Sequence, residues 1–246
     1  MTELALPPLT GFRAGYFATE SGCYVIVTTP AARPDLWSEY LRGALQTYRG
    51  FGVEQALDYP ATATGRSTSI FFVALDERGD VVAGSRVQGP MELPDDAHVT
   101  TEWSEAEDRR RLRHRLAARI PQGVIEMRAG WVDKRSPAKH ALGSVIARSV
   151  IHSLHLLDVR YAVCSAATHA LSRWTTTGGH IDETVEPAAY PDDRYLSSLM
   201  WWDSTTFADR ASADQLSSLL DERAQLEGAD SHAGLGVRSR ALGAAA

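Results

Sequence analysis

A group of basic and turn-forming residues lies near the middle of the chain, between an apolar segment and a long helical pattern. Positions 133–140 carry Lys134, Arg135 and Lys139 together with Ser136, and helical spacing begins near Ala141. The first N–H groups of a helix have no intrahelical partner, and with the positive helix end they can bind a phosphate. The alternative is an ordinary turn with solvated lysines, because helix N-termini are common and bound phosphates are not.

Glu126 is a carboxylate in the middle of the apolar stretch 123–132. Burial would raise the pKa of its side chain towards a value that suits a general base. A structural ion pair with Arg86 or Arg128 explains the same position equally well, because buried carboxylates are usually partnered. The sequence leaves both interpretations open.

Two further groups could carry chemistry, and both have a simpler explanation. Cys164 and His169 could form a nucleophilic pair, but a cysteine at the end of a strand is usually an inert core residue. His152 and His155 have a spacing that could bind a metal ion, but no third ligand lies nearby in the sequence. We therefore expect neither covalent catalysis nor a metal.

The elements that position these residues form a strand, a helix and a second strand. The apolar positions between Leu142 and Leu157 follow a helical repeat, which predicts a helix with one continuous stripe that packs on a sheet. The β-branched and apolar stretches 123–132 and 159–164 flank it and predict two strands. Strand, helix and strand at this spacing predict a parallel pair of strands.

Other patterns predict the remaining elements of one domain. Strands are predicted at 23–28, 69–75, 81–87, 181–185 and 194–202, and helices from Asp35, over 102–119, over 168–177 and over 205–227. We expect residues 1–20 to form a lead-in loop, 21–203 the main domain, 204–227 a C-terminal helix and 228–246 a flexible tail. The long loop 58–68 is expected to cover a site.

Composition limits the function classes. The chain has 246 residues with a net charge of −6, so its overall surface is not suited to nucleic acid. No apolar run reaches membrane-spanning length, and the first residues do not resemble a secretory signal. The two cysteines, Cys23 and Cys164, lie within apolar runs, which favours buried thiols and a cytoplasmic location.

The order of predicted elements resembles that of the GNAT superfamily of N-acyltransferases. Residues 135–146 resemble its pyrophosphate-binding motif, with Gly143 at the last glycine and Ala141 at the earlier one. The segment 167–179 resembles the motif that follows the next strand, with Trp174 where tyrosine is usual. Segments 84–90 and 124–128 resemble two strands of the acyl-homoserine lactone synthases and N-acyl amino acid synthases. Arg86 lies in the first segment, and Glu126 and Arg128 lie in the second.

This resemblance implies an α/β fold with a mixed, mostly antiparallel sheet, a splayed parallel pair and helices on both faces. It implies transfer of an acyl group from an acyl-CoA or acyl-carrier-protein thioester to a small-molecule amine, with an amino acid as one candidate acceptor. Glu126 would be the base, and Arg86, Arg128 and Trp174 would contact the substrate. The residues implied for the donor are Trp131, Val132, Lys139, His140, Ala141, Leu142, Gly143 and Ser144.

Two alternatives to this enzyme remain. The incomplete glycine motif and Trp174 also suit a catalytically inactive GNAT-like module that binds a ligand or a protein. The C-terminal helix could instead serve dimerisation. The arginines between Arg109 and Arg119 could dock an acidic acyl-carrier protein, or they could form a solvated helix face with no partner.

Overall fold

The computed structural model describes the backbone of residues 13–241 and the side chains of residues 14–228. Residues 1–12 of the expected lead-in loop and residues 242–246 of the expected tail lie outside the described residues. The described strands are β1 Arg13–Ala18, β2 Cys23–Thr28, β3 Ile70–Leu75, β4 Val81–Gln88, β5 Val124–Val132, β6 Tyr161–Ala167, β7 His180–Ile181, β8 Ala188–Ala189 and β9 Leu196–Asp203.

Seven α-helices accompany these strands in the described part of the chain. They are α1 Pro34–Phe51, α2 Tyr59–Ala63, α3 Val99–Glu102, α4 Ala106–Arg119, α5 Lys139–Leu156, α6 Thr168–Thr175 and α7 Ala213–Ala241. None of the helices within residues 13–241 combines the length and the hydrophobicity that a membrane crossing requires.

All nine strands join one sheet in the order β1-β2-β3-β4-β5-β6-β9-β7, with β8 also paired to β9. Every pairing is antiparallel except that of β5 with β6. The predicted mixed, mostly antiparallel sheet with one parallel pair is therefore confirmed.

The hydrophobic core lies on both faces of this sheet. Helix α5 buries the predicted stripe, including Leu142, Val145 and Leu154, in a cluster that also contains residues of α7. Each such side chain contributes roughly 1.5–3 kcal/mol to folding when fully buried. On the opposite face, α1 packs over β3 to β5, and α3 and α4 pack over β5, β6 and β9. The gap between these two groups of helices leaves part of the second face open.

A buried ionic network joins α5 to α7. The Arg148 guanidinium donates to Glu222 Oε2 from Nε at 2.9 Å and to Glu222 Oε1 from Nη2 at 2.6 Å. Nε2 of His152 lies 2.8 Å from Glu222 Oε2, and Arg148 also pairs with Glu20. Arg148 and Glu222 are almost fully removed from water, so their pairing fixes how α7 docks on the sheet.

Helix α7 also covers the free edge of β1. The backbone N–H of Phe17 donates to Gln225 Oε1 at 2.8 Å, and Gln225 Nε2 donates to the Phe17 carbonyl at 3.3 Å. One side-chain amide therefore occupies both hydrogen-bonding groups of a residue in the edge strand.

Several predicted boundaries were wrong. Part of the expected lead-in loop is β1, and the loop 58–68 contains α2. The helix predicted over 102–119 is two helices, α3 and α4, separated at Trp103. The strand predicted at 181–185 is only His180–Ile181. The C-terminal helix begins at Ala213 and continues to Ala241, through most of the expected tail.

Candidate active site

The parallel strands β5 and β6 separate after three paired residues. Val124, Ile125 and Glu126 pair with Tyr161, Ala162 and Val163. Strand β5 continues to Val132 and β6 to Ala167, but the two have no further pairing in the described chain. The splayed pair that the resemblance implied is therefore present, and it opens towards the start of α5.

A β-bulge in β5 lies directly beside this opening. Gly84 pairs with Trp131 and Arg86 with Arg128, so Ser85 alone faces the two residues Ala129 and Gly130. Ala129 adopts a left-handed conformation with φ of 47°, which is uncommon for a residue with a side chain. The hydroxyl of Tyr40 in α1 donates to the Ala129 carbonyl at 2.8 Å and holds the bulge in place.

A cavity of about 240 Å³ lies on the sheet face between α1 and α3. Its polar wall includes Glu102, Glu126, Arg128, Ser165 and Tyr190. Its apolar wall includes Tyr48, Phe51, Val53, Met127 and Pro191. A few polar groups in an otherwise apolar concave site are typical of a small-molecule pocket.

Glu126 is buried, with 1% of its surface exposed. Its Oε2 accepts the backbone N–H of His98 at 2.6 Å, and its Oε1 accepts that of Val99 at 3.1 Å. Arg128 Nε lies 3.8 Å from Oε1. Burial raises the pKa of Glu126, against the opposing effects of Arg128 and the two amides. Both oxygens therefore hold the start of α3, and the structural pair with Arg128 is present.

Glu102 is the last residue of α3 and also lines the cavity. It is 8% exposed, and within the described residues its Oε2 has no hydrogen-bond partner. Its Oε1 lies 3.6 Å from His98 Nε2. Burial raises the pKa of Glu102 to about 8, with a further rise from the charge of Glu126, while Ser165 and Arg128 oppose the shift. Of the two carboxylates that line the cavity, Glu102 is therefore the one with an unpartnered oxygen.

Two arginines lie side by side on β4 and β5. Arg86 is 1% exposed and donates only to neutral oxygens, at 3.3–3.4 Å from Ser67, Thr68 and Thr62. Within residues 14–228 its Nε has no hydrogen-bond partner, and no carboxylate forms an ion pair with it. Burial lowers the pKa of Arg86, and the neighbouring charge of Arg128 lowers it further.

The segment 190–195 spans the cavity from the side of β9. Tyr190 Oη lies 3.2 Å from His98 Nε2, above the carboxylates. Arg194 Nη2 donates to the Gly52 carbonyl at 2.8 Å, and the Tyr195 hydroxyl donates to the Phe51 carbonyl at 3.3 Å. These bonds tie the segment to the C-terminal end of α1, where carbonyl groups favour a cation.

No protein-family model matches the chain. The protein named Uncharacterized protein Rv1356c from Mycobacterium tuberculosis (strain H37Rv) is 40% identical over 210 residues, which cover 85% of this chain and 80% of that protein. Uncharacterized protein Mb1391c from Mycobacterium bovis matches with the same figures. The chain belongs to the family of these mycobacterial proteins.

Solved structures identify the fold of this family member. FeeM, an N-acyl amino acid synthase from uncultured soil microbes, superposes with a TM-score of 0.58 over 79% of this chain and 97% of its own, at 12% identity. An uncharacterized protein (bh2621) from Bacillus halodurans superposes with a TM-score of 0.51 over 85% of this chain and 98% of its own, at 8% identity. With the splayed strands and the bulge, these matches confirm the GNAT fold that the sequence predicted.

In this relative of Rv1356c, the residues predicted to bind the acyl donor lie in two environments. Lys139 and His140 are exposed at the start of α5, and the first backbone bond of the helix runs from the Leu142 N–H to the Ala138 carbonyl. The amides of His140 and Ala141 precede that bond, and no side chain caps the helix. This end of α5 is consistent with phosphate binding.

The other predicted donor residues are buried or half-buried. The Leu142 side chain belongs to the core, and the Trp131 ring is buried against α1, where a Cβ on Gly43 would lie 2.0 Å from it. Only the backbone of these two residues could meet a donor. Val132 and Ser144 are half-buried, and a Cβ on Gly143 would lie 2.5 Å from the guanidinium carbon of Arg173.

Trp174 lies at the splay, as its position in the motif implied. A Cβ built on Gly130 would be 3.9 Å from Cζ2 of the Trp174 ring, and the ring stands edge-on to Trp202 with centroids 5.7 Å apart. The indole therefore lies next to the bulge. Its role in contacting substrate stays a prediction.

The structure weakens three minor hypotheses. Four of the clustered arginines, Arg110, Arg111, Arg113 and Arg115, form ion pairs within the chain, and Arg119 lies over the Trp201 ring. The cluster is therefore not a bare positive face for a carrier protein. Cys164 is buried, and burial raises the pKa of its thiol well above the usual value, which disfavours a thiolate nucleophile.

His152 is likewise engaged, with the Glu222 carboxylate. Within residues 14–228 no group of three or more His, Cys, Asp or Glu side chains has the arrangement to hold a metal ion.

The sequence prediction did not identify Glu102, His98 or Tyr190. Glu102 precedes a run of acids and arginines and was assigned to the first turn of their helix. The missed signal was Val99 and Trp103, two apolar residues around Glu102 that are buried in the core beside α4. An acid flanked by buried residues is itself a candidate for burial.

Proposed function

We propose that this protein is an N-acyltransferase that moves an acyl group from acyl-CoA to the amine of a small molecule that carries a carboxylate, such as an amino acid. The observation that carries the proposal is the cavity beside the splayed strands, which is lined by Arg128 and by carboxylates of raised pKa, with the buried Arg86 on the neighbouring strand. The fold supports acyl transfer in general, and the residues of the cavity support the choice of acceptor.

The charges of the cavity favour an anionic acceptor. Arg128 lines the cavity and pairs with Glu126, and the buried Arg86 lies beside it on β4 without a carboxylate partner in the described residues. Glu102, with a pKa of about 8, is mostly neutral at pH 7. The cavity and its immediate surroundings therefore lack one negative charge, and the Nε of Arg86 beside the cavity has no partner in the described residues. A carboxylate on the acceptor supplies both the charge and the hydrogen-bond acceptor.

The dimensions of the site favour a small acceptor and a donor that enters from the side of α5. The cavity of about 240 Å³ is below the 300–1,000 Å³ range of sites for drug-sized ligands. A second groove of about 820 Å³ runs beside residues 131–138 and adjoins the cavity at Thr47 and Phe51. The basic turn and the start of α5 thus lie within reach of the donor's phosphates, while its thioester enters between β5 and β6.

The chemistry needs three contributions from this chain. A carboxylate of the cavity must take the proton of the amine, for which the sequence predicts Glu126. Backbone N–H groups of β5 beyond the bulge, near Gly130 to Val132, would stabilise the oxyanion. The bulge, held by Tyr40, keeps that part of β5 in a defined position beside the opening.

The direct test measures thiol release from acetyl-CoA and longer acyl-CoA thioesters with a panel of α-amino acids. Each amino acid is compared with its carboxamide, which keeps the amine and removes the negative charge. We expect turnover with at least one amino acid and a much lower kcat/KM with its carboxamide. Equal rates with both would contradict the anionic acceptor, and an acyl-carrier-protein thioester run in parallel tests the second donor.

Arginine variants test the same point from the side of the protein. Arg128→Met removes a charge-assisted hydrogen bond of about 1.5–3 kcal/mol, so we expect the KM for the amino acid to rise by roughly 10- to 150-fold. Arg86→Met removes a charge that lies beside the cavity rather than in its lining, so we expect a smaller rise. The KM for the carboxamide should hardly change. Arg66→Met is the matched control, because Arg66 is exposed and does not line the cavity.

The inactive module is the alternative function, and the missing glycine of the phosphate motif favours it. It predicts that acyl-CoA raises the unfolding temperature while no amine is acylated. Glu126→Gln helps to separate the two, because an enzyme should lose rate and still bind the donor, whereas a binding module has no rate to lose.

A further inference from the structure

We propose that Glu102, and not Glu126, takes the proton of the acceptor amine, and that Glu126 is a positioning residue that holds α3 so that Glu102 faces the cavity. This inference rests on the acyl transfer proposed above. No sequence pattern assigned a role to Glu102, and the resemblance to GNAT enzymes pointed to Glu126 instead.

The hydrogen bonds of the two carboxylates are the first reason. Each oxygen of Glu126 accepts a backbone N–H at 2.6–3.1 Å, from His98 and Val99. A base must offer an oxygen to the proton that it removes. Glu102 offers one, because this residue lines the cavity and its buried Oε2 accepts no hydrogen bond within the described residues. A buried oxygen without a partner is costly unless a ligand fills that place.

The length of α3 is the second reason. The helix has only four residues, Val99–Glu102, so Glu126 binds the amides at its start while Glu102 stands one turn further on. Glu126 thus fixes the direction in which Glu102 points. Its burial and its pair with Arg128 suit this positioning role.

The surroundings of Glu102 also suit a base that works near neutral pH. The charged and titratable groups that face it are Glu126 and Arg128 of β5, His98 beside α3, Tyr48 of α1, Cys164 of β6 and Tyr190 of the segment over the cavity. Burial and Glu126 raise the pKa of Glu102 to about 8, whereas the Ser165 hydroxyl and Arg128 lower it. A base whose pKa lies near the working pH combines adequate basicity with an available ionised fraction.

The proposed step is balanced. The nitrogen lone pair attacks the thioester carbonyl carbon, the C–N bond forms, and Glu102 takes a proton from nitrogen. The tetrahedral intermediate then collapses, the C–S bond breaks, and the sulfur leaves as a thiolate. The proton on Glu102 returns to the thiolate or to solvent, which gives an amide and a free thiol with no oxidant or reductant.

The test compares Glu102→Gln and Glu126→Gln with wild type, using acetyl-CoA and the best amino acid of the panel. Base catalysis contributes about 10²- to 10⁴-fold, so Glu102→Gln should lower kcat by that factor. Wild-type kcat/KM should rise with pH through an apparent pKa near 8, and this rise should be absent in Glu102→Gln. Glu105→Gln is the matched control, because Glu105 is an exposed acid three positions along and should leave kcat unchanged.

Two variants should move the pH profile in opposite directions. Glu126→Gln removes a negative charge that raises the pKa of Glu102, so its profile should keep the rise but shift it to lower pH. Ser165→Ala removes a hydroxyl that lowers the same pKa, so its rise should shift to higher pH. A merely structural role for Glu126 would not predict a shift in the profile. These shifts also test the inference if Glu102→Gln fails to fold.

The outcomes separate this inference from the proposed function. If wild type acylates amino acids but Glu102→Gln keeps the full rate and the rise with pH, Glu102 is not the base and acyl transfer stands. The loss of the rise in Glu126→Gln, with its retention in Glu102→Gln, would assign the base to Glu126. If wild type binds acetyl-CoA and acylates none of the panel, it is the proposed function that fails.

Discussion

Replacing Glu102 with glutamine should stabilise the folded protein at alkaline pH and have little effect in acid. The folded-state pKa of Glu102 is about 8, against an ordinary value of 4.5. Between these two values the folded state holds a proton that the unfolded chain has released. The free energy of unfolding therefore falls as pH rises from 4.5 to 8, and it stays low above 8. Glutamine has no proton to lose and escapes this cost.

The size of the effect follows from the same two values. Each unit of pKa difference is worth about 1.4 kcal/mol, so the cost approaches roughly 5 kcal/mol at pH 8 and above. It is roughly 3 kcal/mol at pH 7 and less than about 1 kcal/mol at pH 5. Glu102 is 8% exposed, so solvent screening takes little away.

Urea unfolding of wild type, Glu102→Gln and Glu105→Gln at pH 5, 7 and 8.5 measures this effect. The difference in unfolding free energy between variant and wild type is compared across the three pH values. This comparison cancels the contributions of all other titrating groups, because the two proteins share them. We expect the Glu102→Gln advantage to grow by about 4 kcal/mol from pH 5 to pH 8.5, and Glu105→Gln to follow wild type. A difference that stays constant with pH would show that Glu102 is not a buried acid of raised pKa.

Two further predictions concern packing and the buried ions, and urea unfolding at pH 7 measures both. Gly43→Ala should destabilise the fold by about 1–3 kcal/mol, because the new Cβ would lie 2.0 Å from the Trp131 ring. Gly50→Ala in the same helix is the control. Its Cβ meets only the flexible tip of Lys134 at 3.8 Å, so this change should be neutral or stabilising. Equal effects of the two would contradict the contact. Glu222→Gln should cost about 3–5 kcal/mol, because it leaves the buried Arg148 without its main counter-charge, and an unchanged unfolding midpoint would mean that this pair does not hold α7.

The central part of the fold was predictable because its patterns are local. The apolar repeat from Leu142 to Leu157 and the β-branched strands around it specify a helix between two parallel strands, and the structure has them within two or three residues. The separation of those strands was not visible in any pattern. It followed from the resemblance to GNAT enzymes, because it depends on a bulge at Ala129 that no short sequence signal marks.

The candidate site was only partly predictable because its groups meet through long-range contacts. Glu126, Arg86 and Arg128 share neighbouring strands, and their pattern within each strand was enough to bring them together. Glu102, His98 and Tyr190 come from a four-residue helix and two irregular segments. Acids followed by arginines satisfy the helix dipole, so the local pattern favoured one long helix and hid the break at Trp103.

The pairing of Gln225 with Phe17 limits how copies of this protein can associate. An uncovered edge strand is a template on which another chain can add a strand, which leads to open-ended stacking. Here the Gln225 side chain already satisfies the backbone N–H and C=O of Phe17, so growth of the sheet from β1 would first have to displace a helix. Helix α7 thus blocks the addition of a strand at Phe17, in addition to supporting the core.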